Sequence, residues 1–417
     1  MFHDLLELFH NFSQIFHRAG KVVFLVGGAI RNRLLDRPVG DFDFATDALP
    51  EEVQKLFPRV IPTGIKHGTV TVLFRGHSLE VTTFRLDGKY SDQRRPDNVH
   101  YSRSLHEDLL RRDFTMNALA LDMNSGELID IVNGTQDIHD RVIRAIGDPL
   151  QRFQEDALRI LRLFRFASQL GFSIEEKTRT AASAEKARLK TLSRERIRDE
   201  VLKTTYAPQA SLGWKAWQDD ALIPFFFKTW NCKELTHEIL EQMDRMPQEW
   251  RLIFARIASE GSKIRLTDWD QDLRELAFSN EQRNLNVTAL AFIQNLPLGK
   301  PEKKSAKRLL QLWGSKELKK LDTILLALAD LNKINWNKTL APVWLQCFEE
   351  ILKMDEPVFI KELQLKGNDL ISLGIRQGPE MGRILQELLA EVWQNPELNK
   401  KINLLEHAKR LNLALKD

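Results

Sequence analysis

The stretches Val22-Val23-Phe24-Leu25-Val26-Gly27-Gly28 and Gly40-Asp41-Phe42-Asp43-Phe44 decide how this chain is interpreted. The apolar run predicts a β-strand, and the two glycines stand where this strand turns into a helix predicted over 29–35. A second strand is predicted over 41–45. Because side chains alternate along a strand, the two aspartates are expected to point to the same face.

Two neighbouring carboxylates repel each other unless a cation lies between them. Hard oxygen ligands suit Mg²⁺, which prefers carboxylates combined with phosphate oxygens. Glu80, on a strand predicted over 79–84, is a third acid that could join Asp41 and Asp43. A backbone turn that holds phosphates beside such a metal site suggests nucleotidyl transfer. Taken alone, the same acids are also compatible with turn residues and an exposed strand carboxylate.

The bulk composition is that of a globular protein with more than one domain. The chain has 417 residues, of which 43% are hydrophobic and 29% charged, and its net charge is only +3. This length predicts two to four domains. We expect no signal peptide, no membrane span and a cytoplasmic location, because the first residues lack a basic region and every long apolar stretch is short or contains acids.

The secondary-structure pattern changes near residue 148. Before this point strands and helices alternate, with hairpins predicted around Gly76 and over 118–131, and a mobile polar loop over 86–104. Beyond it, helical periodicity continues to the end of the chain. The sequence therefore predicts an α+β first part followed by an all-α remainder.

A second polar cluster is Arg111-Arg112-Asp113-Phe114-Thr115-Met116-Asn117-Ala118. The two arginines could hold triphosphate oxygens through forked hydrogen bonds. If this segment is helical, Asp113 and Asn117 share a face and could contact a ribose hydroxyl. The alternative is a solvated helix start with an arginine–aspartate pair.

A third cluster runs from Arg152 to Phe166 and predicts one helix. Asp156, Arg159, Arg162 and Arg165 recur every three residues, which predicts a polar stripe beside a buried apolar face. An acceptor and a donor one turn apart suit the amino group and ring nitrogen of cytosine or adenine, whereas guanine and uracil present a keto group to the aspartate. The alternative is a ladder of salt bridges within the helix.

Together these clusters resemble the class II tRNA nucleotidyltransferase family, which comprises the CCA-adding enzymes and the bacterial poly(A) polymerases. The resemblance is specific over about residues 20–170. It is carried by the following motifs: Gly27-Gly28-Ala29-Ile30-Arg31, Gly40-Asp41-Phe42-Asp43, Lys66-His67-Gly68-Thr69, Glu80-Val81-Thr82-Thr83-Phe84-Arg85, Arg111-Arg112-Asp113-Phe114, Asn117-Ala118, Arg152-Phe153, Glu155-Asp156 and Arg159.

The resemblance implies a seahorse-shaped molecule with a polymerase-β-like nucleotidyltransferase head and an all-α neck, body and tail. The implied domains are a catalytic head at 1–147, a nucleotide-selecting neck at 148–206, a body at 207–299 and a tRNA-binding tail at 300–417. In the tail, the implied tRNA contacts could use basic stretches such as 300–308, although such residues also occur on solvated helix faces.

The resemblance also implies the roles of the site residues. Asp41, Asp43 and Glu80 are implied as the catalytic acids that bind Mg²⁺. The residues implied to bind the nucleotide are Gly27, Gly28, Arg31, Arg112, Asp113, Asn117, Glu155, Asp156, Arg159, Arg162 and Arg165. The loop 86–104 corresponds to the flexible loop of the family. Asn32 departs from the family pattern, which has aspartate there, and we expect Arg31 to lose a local partner.

The predicted activity is template-independent addition of CCA to the 3′ end of tRNA from CTP and ATP, with release of pyrophosphate and with no obligate protein partner. Two alternatives stay open. One is an A-adding enzyme or a poly(A) polymerase of the same family. The other, from a different class, is an inactive helical RNA-binding protein.

Overall fold

A computed structural model describes residues 5–86, 100–231, 234–261, 263–297, 299–313, 319–331, 333–334, 339–354 and 356–414. The chain divides into two compact units, Met1–Phe226 and Phe227–Asp417. Each unit is described by itself. The four-part domain division stays a prediction, and so does the mobility of the loop, because residues 87–99 lie outside the described part of the chain.

The first unit begins with alternating strands and helices and continues with helices. Its strands are β1 Val23–Val26, β2 Asp43–Thr46, β3 Val60–Gly64, β4 Thr69–Phe74, β5 His77–Thr83, β6 Arg85–Leu86, β7 His100–Tyr101, β8 Leu119–Asp122, β9 Leu128–Asp130, β10 Val142–Ile143 and β11 Ser173–Ile174. Its helices are α1 Leu6–Arg18, α2 Gly28–Leu34, α3 Pro50–Leu56, α4 Leu105–Leu110, α5 Gly134–His139, α6 Pro149–Glu155, α7 Leu158–Leu170, α8 Glu176–Glu185, α9 Arg194–Thr205, α10 Ala210–Asp219 and α11 Ile223–Phe226, with 3₁₀ turns at Ile65–His67, Thr115–Asn117 and Lys186–Thr191.

Within the described residues, one seven-stranded sheet has the order β3-β4-β5-β2-β1-β8-β9. Its neighbouring strands are antiparallel except for β2 and β5, which are parallel. The predicted hairpin around Gly76 is present as β4 and β5, and the second predicted hairpin is present as β8 and β9. This α+β head followed by helices confirms the predicted fold class.

The prediction that Asp41 belongs to the second strand is wrong. Strand β2 begins at Asp43, which pairs with Val26, the last residue of β1. Beyond Val26 the chain turns sharply at Gly27, whose φ is +72°. The partner strand therefore ends there, and Asp41 lies in the segment that leads into β2 instead of on the pleated sheet.

Aromatic side chains cover one face of the sheet. Phe9, Phe12 and Phe16 recur along α1 at the spacing of one helix face and are fully buried. The ring centroid of Phe12 lies 4.9 Å from that of Phe44 on β2 and 5.0 Å from that of Phe57. This packing fixes β2, and with it Asp43, against a rigid aromatic layer.

The prediction of one continuous helix through the third cluster is also wrong. α6 ends at Glu155 and α7 begins at Leu158, with Asp156 in an extended conformation between them (φ −145°, ψ 105°). The carboxylate of Asp156 accepts a hydrogen bond from the backbone N–H of Leu158 at 3.0 Å. Aspartate competes for backbone donors in this way, which favours a new helix start over an uninterrupted helix.

The second unit is helical throughout its described residues. Its α-helices are α12 His237–Arg245, α13 Arg251–Glu260, α14 Leu266–Glu275, α15 Asn280–Gln294, α16 Lys303–Trp313, α17 Lys319–Asp330, α18 Leu340–Lys353, α19 Gly367–Ile371, α20 Pro379–Gln394 and α21 Lys401–Ala414, with 3₁₀ turns at Gln248–Trp250, Ile360–Glu362 and Pro396–Leu398. No helix among the described residues is both long and apolar enough to span a bilayer.

Part of the basic stretch at the start of α16 has a structural partner. Lys307 is fully buried, and its Nζ lies 2.5 Å from the carboxylate of Glu356, which Lys303 also contacts at 2.7 Å. A buried lysine needs such a partner because its charge has lost its water. Lys307 is therefore an internal ion-pair residue, which does not fit the expected role in phosphate binding.

Candidate active site

A cavity of about 760 Å³ in the first unit brings together residues from the sheet, the end of α4 and helix α7. Among its lining residues are these predicted site residues: Gly27, Gly28, Arg31, Asp41, Asp43, Glu80, Arg112, Asp113, Asn117, Asp156, Arg159, Arg162 and Arg165. Glu155 is not among the lining residues; its carboxylate instead pairs with Arg152 at 3.0 Å and Arg159 at 2.8 Å. Segments far apart in the sequence thus contribute to one cavity.

The glycine turn lets an arginine approach the backbone closely. Gly27 adopts φ +72° and ψ −129°, a backbone conformation that costs a residue with a side chain about 1–3 kcal/mol. A Cβ atom at this position would lie 3.0 Å from Nη1 of Arg112. The same Nη1 donates to the carbonyl of Asn117 at 3.4 Å. Glycine at this position therefore leaves room for a guanidinium beside the end of β1.

The acidic side of the cavity is formed by the parallel strand pair. Asp43 on β2 is the register partner of Glu80 on β5, and both side chains face the cavity, which Asp41 also lines. Asp43 is exposed to solvent in the open cavity, but the protein atoms around its carboxyl partly desolvate it and so raise its pKa. The charges of Glu80 and Asp41 raise this pKa further, while Arg112 lowers it.

The predicted three-carboxylate metal set stays a prediction. Across the residues that the structure describes, no three His, Cys, Asp or Glu side chains are gathered closely enough to hold one metal ion. Asp41, Asp43 and Glu80 nevertheless supply three carboxylates of the kind that divalent oxygen-binding cations use. A cation among them would relieve the mutual repulsion that raises the pKa of Asp43.

A buried series of side-chain hydrogen bonds links helix α2, which follows Gly27, to helix α7. Arg31 donates to the side-chain oxygen of Asn117 at 2.6 Å, and the amide nitrogen of Asn117 donates to Oδ1 of Asp113 at 3.0 Å. Oδ2 of Asp113 accepts from Arg162, with Nη2 at 2.6 Å. Although Thr115–Asn117 is a 3₁₀ turn and not an α-helix, the predicted neighbours Asp113 and Asn117 do meet.

Donors within the protein occupy the hydrogen-bond acceptor positions of the Asp113 carboxylate. Oδ1 accepts from the N–H of Phe114 and from Asn117, and Oδ2 accepts from two nitrogens of Arg162. Burial on its own would raise the pKa of this carboxyl, but Arg162 and these hydrogen bonds lower it to about 2. Because a carboxylate has about four acceptor positions, a ribose hydroxyl can contact Asp113 only by replacing one of these donors.

The expected loss of a local partner for Arg31 is wrong. The side-chain oxygen of Asn32 accepts hydrogen bonds from Nε and Nη2 of Arg31 at 3.1 and 2.8 Å. An amide oxygen thus replaces the carboxylate usual at this position in the family, with the loss of its charge but not of its geometry. Burial lowers the pKa of Arg31 to about 10, and the positive charges of Arg165 and Arg162 contribute.

Asp108 is a site residue that sequence reasoning missed. Its side chain is 1% exposed and forms ion pairs with Arg111 at 2.5 Å and with Arg112 at 3.1 Å. Burial would raise the pKa of Asp108, but the two arginines hold it below its ordinary value. Its spacing of three and four residues from the two arginines that follow α4 was the available signal.

Two further missed residues, Glu200 and Arg196, lie on α9. The carboxylate of Glu200 is buried and lies 3.1 Å from Nε of Arg165. Arg196 lies 3.0 Å from the carboxylate of Asp156 and lines the cavity. Both partners are on α6–α7, so the local sequence around α9 carried no indication of these contacts.

Three guanidinium groups that repel each other lie around the ring of Phe166. The guanidinium carbons of Arg31, Arg162 and Arg165 lie 5.2, 5.4 and 4.3 Å from the centroid of its ring. The electron-rich ring faces attract cations, so the ring tolerates several positive charges nearby. This arrangement favours a polyanionic ligand on the α7 side of the cavity.

The cavity thus has carboxylates on a sheet at one side and a dense set of arginines on the other. The acids suit a divalent cation, and the arginines suit a triphosphate. The class of protein defined by this mixed-sheet head with a helical extension is a nucleotidyltransferase. Asp156 at the break between α6 and α7 and the arginines of α7 line the cavity and supply groups able to select a base.

Comparison with known proteins agrees with this class. The family described as "Poly A polymerase head domain" matches residues 23–144, and the family described as "Probable RNA and SrmB- binding site of polymerase A" matches residues 171–233. The CCA-adding enzyme of Staphylococcus epidermidis is 33% identical over 412 residues, covering 97% of this chain and 98% of that protein.

A CCA-adding enzyme of Lactobacillus helveticus is 50% identical over 204 residues, about half of either chain. Among solved structures, the Bacillus stearothermophilus CCA-adding enzyme in complex with CTP is similar with a TM-score of 0.74 and 28% identity, covering 98% of this chain and 97% of that one. The chain belongs to the family of CCA-adding enzymes, and it is a nucleotidyltransferase.

Proposed function

We propose that this protein adds the nucleotides C, C and A to the 3′ end of tRNA, using CTP and ATP and releasing pyrophosphate. The observation that carries the proposal is the single cavity in which Asp43 and Glu80 face Arg112, Asp156 and Arg162. The relatives named above are CCA-adding enzymes, and one related structure contains CTP. The cytoplasm, where tRNA and both nucleotides occur, is the proposed place of action.

The triphosphate would lie between the glycine turn and the arginines. Arg112 is held beside Gly27, and Arg31 is held beside Gly28 by Asn32 and Asn117. These guanidinium groups are fixed by the protein before a ligand binds, so that they offset phosphate charge without losing much conformational freedom. They would stabilise the negative charge that develops on the pyrophosphate as the bond from the α-phosphorus to the leaving oxygen breaks.

The acidic side of the cavity would hold the divalent cation. Asp43 and Glu80, with Asp41 beside them, are the residues that would bind it, and Mg²⁺ is the proposed ion because carboxylate and phosphate oxygens are its usual ligands. When bound, such an ion supplies Lewis-acid stabilisation of the phosphoryl oxygens. Asp41 or Asp43 would orient the tRNA 3′-hydroxyl and accept its proton as the hydroxyl oxygen forms the new bond to the α-phosphorus.

Base selection is assigned to the break between α6 and α7. The carboxylate of Asp156 faces the cavity as a hydrogen-bond acceptor, and the guanidinium groups of Arg159 and Arg162 also line it. Cytosine and adenine each present an amino group to such an acceptor, whereas uracil and guanine present a keto oxygen and would leave a polar group unpaired. Each such mismatch costs about 1–3 kcal/mol.

The test is nucleotide addition to a tRNA that ends at the discriminator base. With Mg²⁺ and both CTP and ATP, the product ends are expected to read CCA, and with CTP alone to stop after two residues. Addition of A to a CC-ended tRNA without any addition of C would indicate an A-adding enzyme, and long A tails would indicate a poly(A) polymerase.

Asp43→Asn separates the enzyme from an inactive RNA-binding protein. Addition is expected to disappear in this variant while tRNA binding by gel shift is retained. If the unaltered protein binds tRNA but incorporates no nucleotide under any metal condition, the proposal is wrong.

A further inference from the structure

Arg196 connects helix α9 to the carboxylate that is proposed to read the base. Its Nη2 donates hydrogen bonds to both oxygens of Asp156, at 3.3 Å to Oδ1 and 3.0 Å to Oδ2. Both residues line the cavity. The side chain of Arg196 is 40% exposed and that of Asp156 is 27% exposed, so the pair lies at the wall of the cavity, within reach of a ligand.

The remaining contacts of Asp156 leave one oxygen able to bind a ligand. Oδ1 also accepts from the backbone N–H of Leu158. Among the described residues, Oδ2 accepts from Arg196 only. Because a carboxylate oxygen can accept two hydrogen bonds, Oδ2 keeps one acceptor position for an amino group of a base.

The arginines of α7 have partners other than Asp156. Arg162 is close enough to Asp156 for the negative charge to raise the pKa of its guanidinium, although Asp113 is its main partner. Arg159 is held elsewhere, since it donates to Glu155 and to the carbonyls of Arg152 and Arg111. Without Arg196, the carboxylate of Asp156 would therefore keep, among the described residues, only its hydrogen bond to the backbone N–H of Leu158.

We propose that Arg196 is a positioning residue for nucleotide selection, which holds the carboxylate of Asp156 in the orientation that accepts an amino group from cytosine or adenine. The inference rests on the proposed function, because it assumes that Asp156 reads the base. Nucleotide selection would then depend on a residue of α9 as well as on Asp156 between α6 and α7.

The direct test measures selectivity as well as rate. In single-turnover addition to a tRNA lacking CCA, Arg196→Ala is expected to lower the ratio of CTP to UTP incorporation about tenfold. Arg196→Lys keeps the charge but not the planar fork, and an intermediate ratio is expected. Arg198→Ala is the matched control, because Arg198 lies on the same helix and pairs with Asp199 at 2.7 Å; its ratio should equal that of the unaltered protein.

A double variant tests whether Arg196 acts through Asp156. If it does, Arg196→Ala combined with Asp156→Asn should select no worse than Asp156→Asn alone. Selectivity losses that add in the double variant would overturn the inference, as would an Arg196→Ala protein that incorporates CTP and UTP at equally reduced rates. Failure of the proposed function can be distinguished from failure of this inference, because in the first case the unaltered protein itself would add neither C nor A.

Discussion

Asp43 and Glu80 lie opposite each other on the parallel strands β2 and β5, so that their carboxylates share one face of the sheet. The register places two negative charges together without a compensating lysine on either strand, and partial desolvation first and Glu80 second raise the pKa of Asp43. A bound cation would relieve this repulsion, which Arg112 offsets in part.

Glu80→Gln is therefore expected to lower the rate of Mg²⁺-dependent nucleotide addition about 100-fold, while the protein keeps its thermal stability or gains some. The stability follows because one of two repelling charges is removed. Glu51→Gln, an exposed acid on α3, is the control and should leave the rate unchanged. A Glu80→Gln protein that is as active as the control would show that Glu80 has no part in the metal site.

Gly27 and Gly20 form a matched pair for testing the close approach of Arg112. Both have similar positive φ values, +72° and +69°. A Cβ added at Gly27 would lie 3.0 Å from Nη1 of Arg112, whereas a Cβ added at Gly20 would have no atom within 4 Å. Each substitution to alanine should destabilise the protein through backbone strain, by about 1–3 kcal/mol at Gly27, whose ψ of −129° lies outside the left-handed helical region. Gly27→Ala should in addition raise the KM for CTP and ATP, because it displaces the Arg112 guanidinium. Equal KM values for the two variants would contradict this role for the turn.

The glycine turn and the strands around it could be predicted because their signals are local. An apolar run followed by Gly27-Gly28 specifies a strand, a positive φ and a helix start within a few residues. The break at Asp156 could not be predicted from the sequence, because the apolar residues of α6 and α7 follow one uninterrupted helical spacing. One side-chain hydrogen bond to the N–H of Leu158 decides it.

The missed contacts of the site have a different cause. Glu200 and Arg196 act on residues of α6–α7 that are close only after folding. In the sequence each is one of several charged residues on an ordinary polar helix face, and no spacing rule connects α9 to α7. Asp108 differs, because its neighbours at three and four residues could have indicated the pairs with Arg111 and Arg112.

Asp113 gives a prediction for the pH dependence of stability. Its pKa is about 2 in the folded protein, below the ordinary 3.8, so its ion pair with Arg162 stabilises the fold at and above pH 4. This contribution is lost as the pH falls from about 4 to about 2. The difference in the free energy of unfolding between the unaltered protein and Asp113→Asn should therefore shrink over this window, as measured by urea unfolding at each pH.

Asp113→Asn also tests the predicted ribose contact. If Asp113 serves mainly to hold Arg162, the variant should raise the KM of ribonucleotides and 2′-deoxynucleotides alike. If it senses the 2′-hydroxyl, discrimination between the two should fall. Asp137→Asn, which removes a buried acid paired with Arg144 outside the cavity lining, controls for the general cost of losing a buried carboxylate.

Arg37 fixes the segment that carries Asp41 to the end of the helix that carries the arginines. Its guanidinium donates to the carbonyls of Gln169 at 2.6 Å and Leu170 at 3.0 Å, the last two residues of α7. A helix end leaves such carbonyls without intrahelical partners, and a cation there is favourable. The contact therefore ties the segment before Asp41 to the end of α7.

Arg37→Ala is expected to lower the free energy of unfolding by about 2 kcal/mol and to slow nucleotide addition more than Arg37→Lys, which keeps a positive charge at the helix end. Hydrogen exchange of the backbone amides in 36–42 should become faster in the alanine variant. Arg33→Ala, which removes an exposed pair with Asp36 at 3.8 Å, should change the free energy by less than about 1 kcal/mol. Unchanged exchange in 36–42 would show that this segment is held by other contacts, and the link between Arg37 and the position of Asp41 would then be wrong.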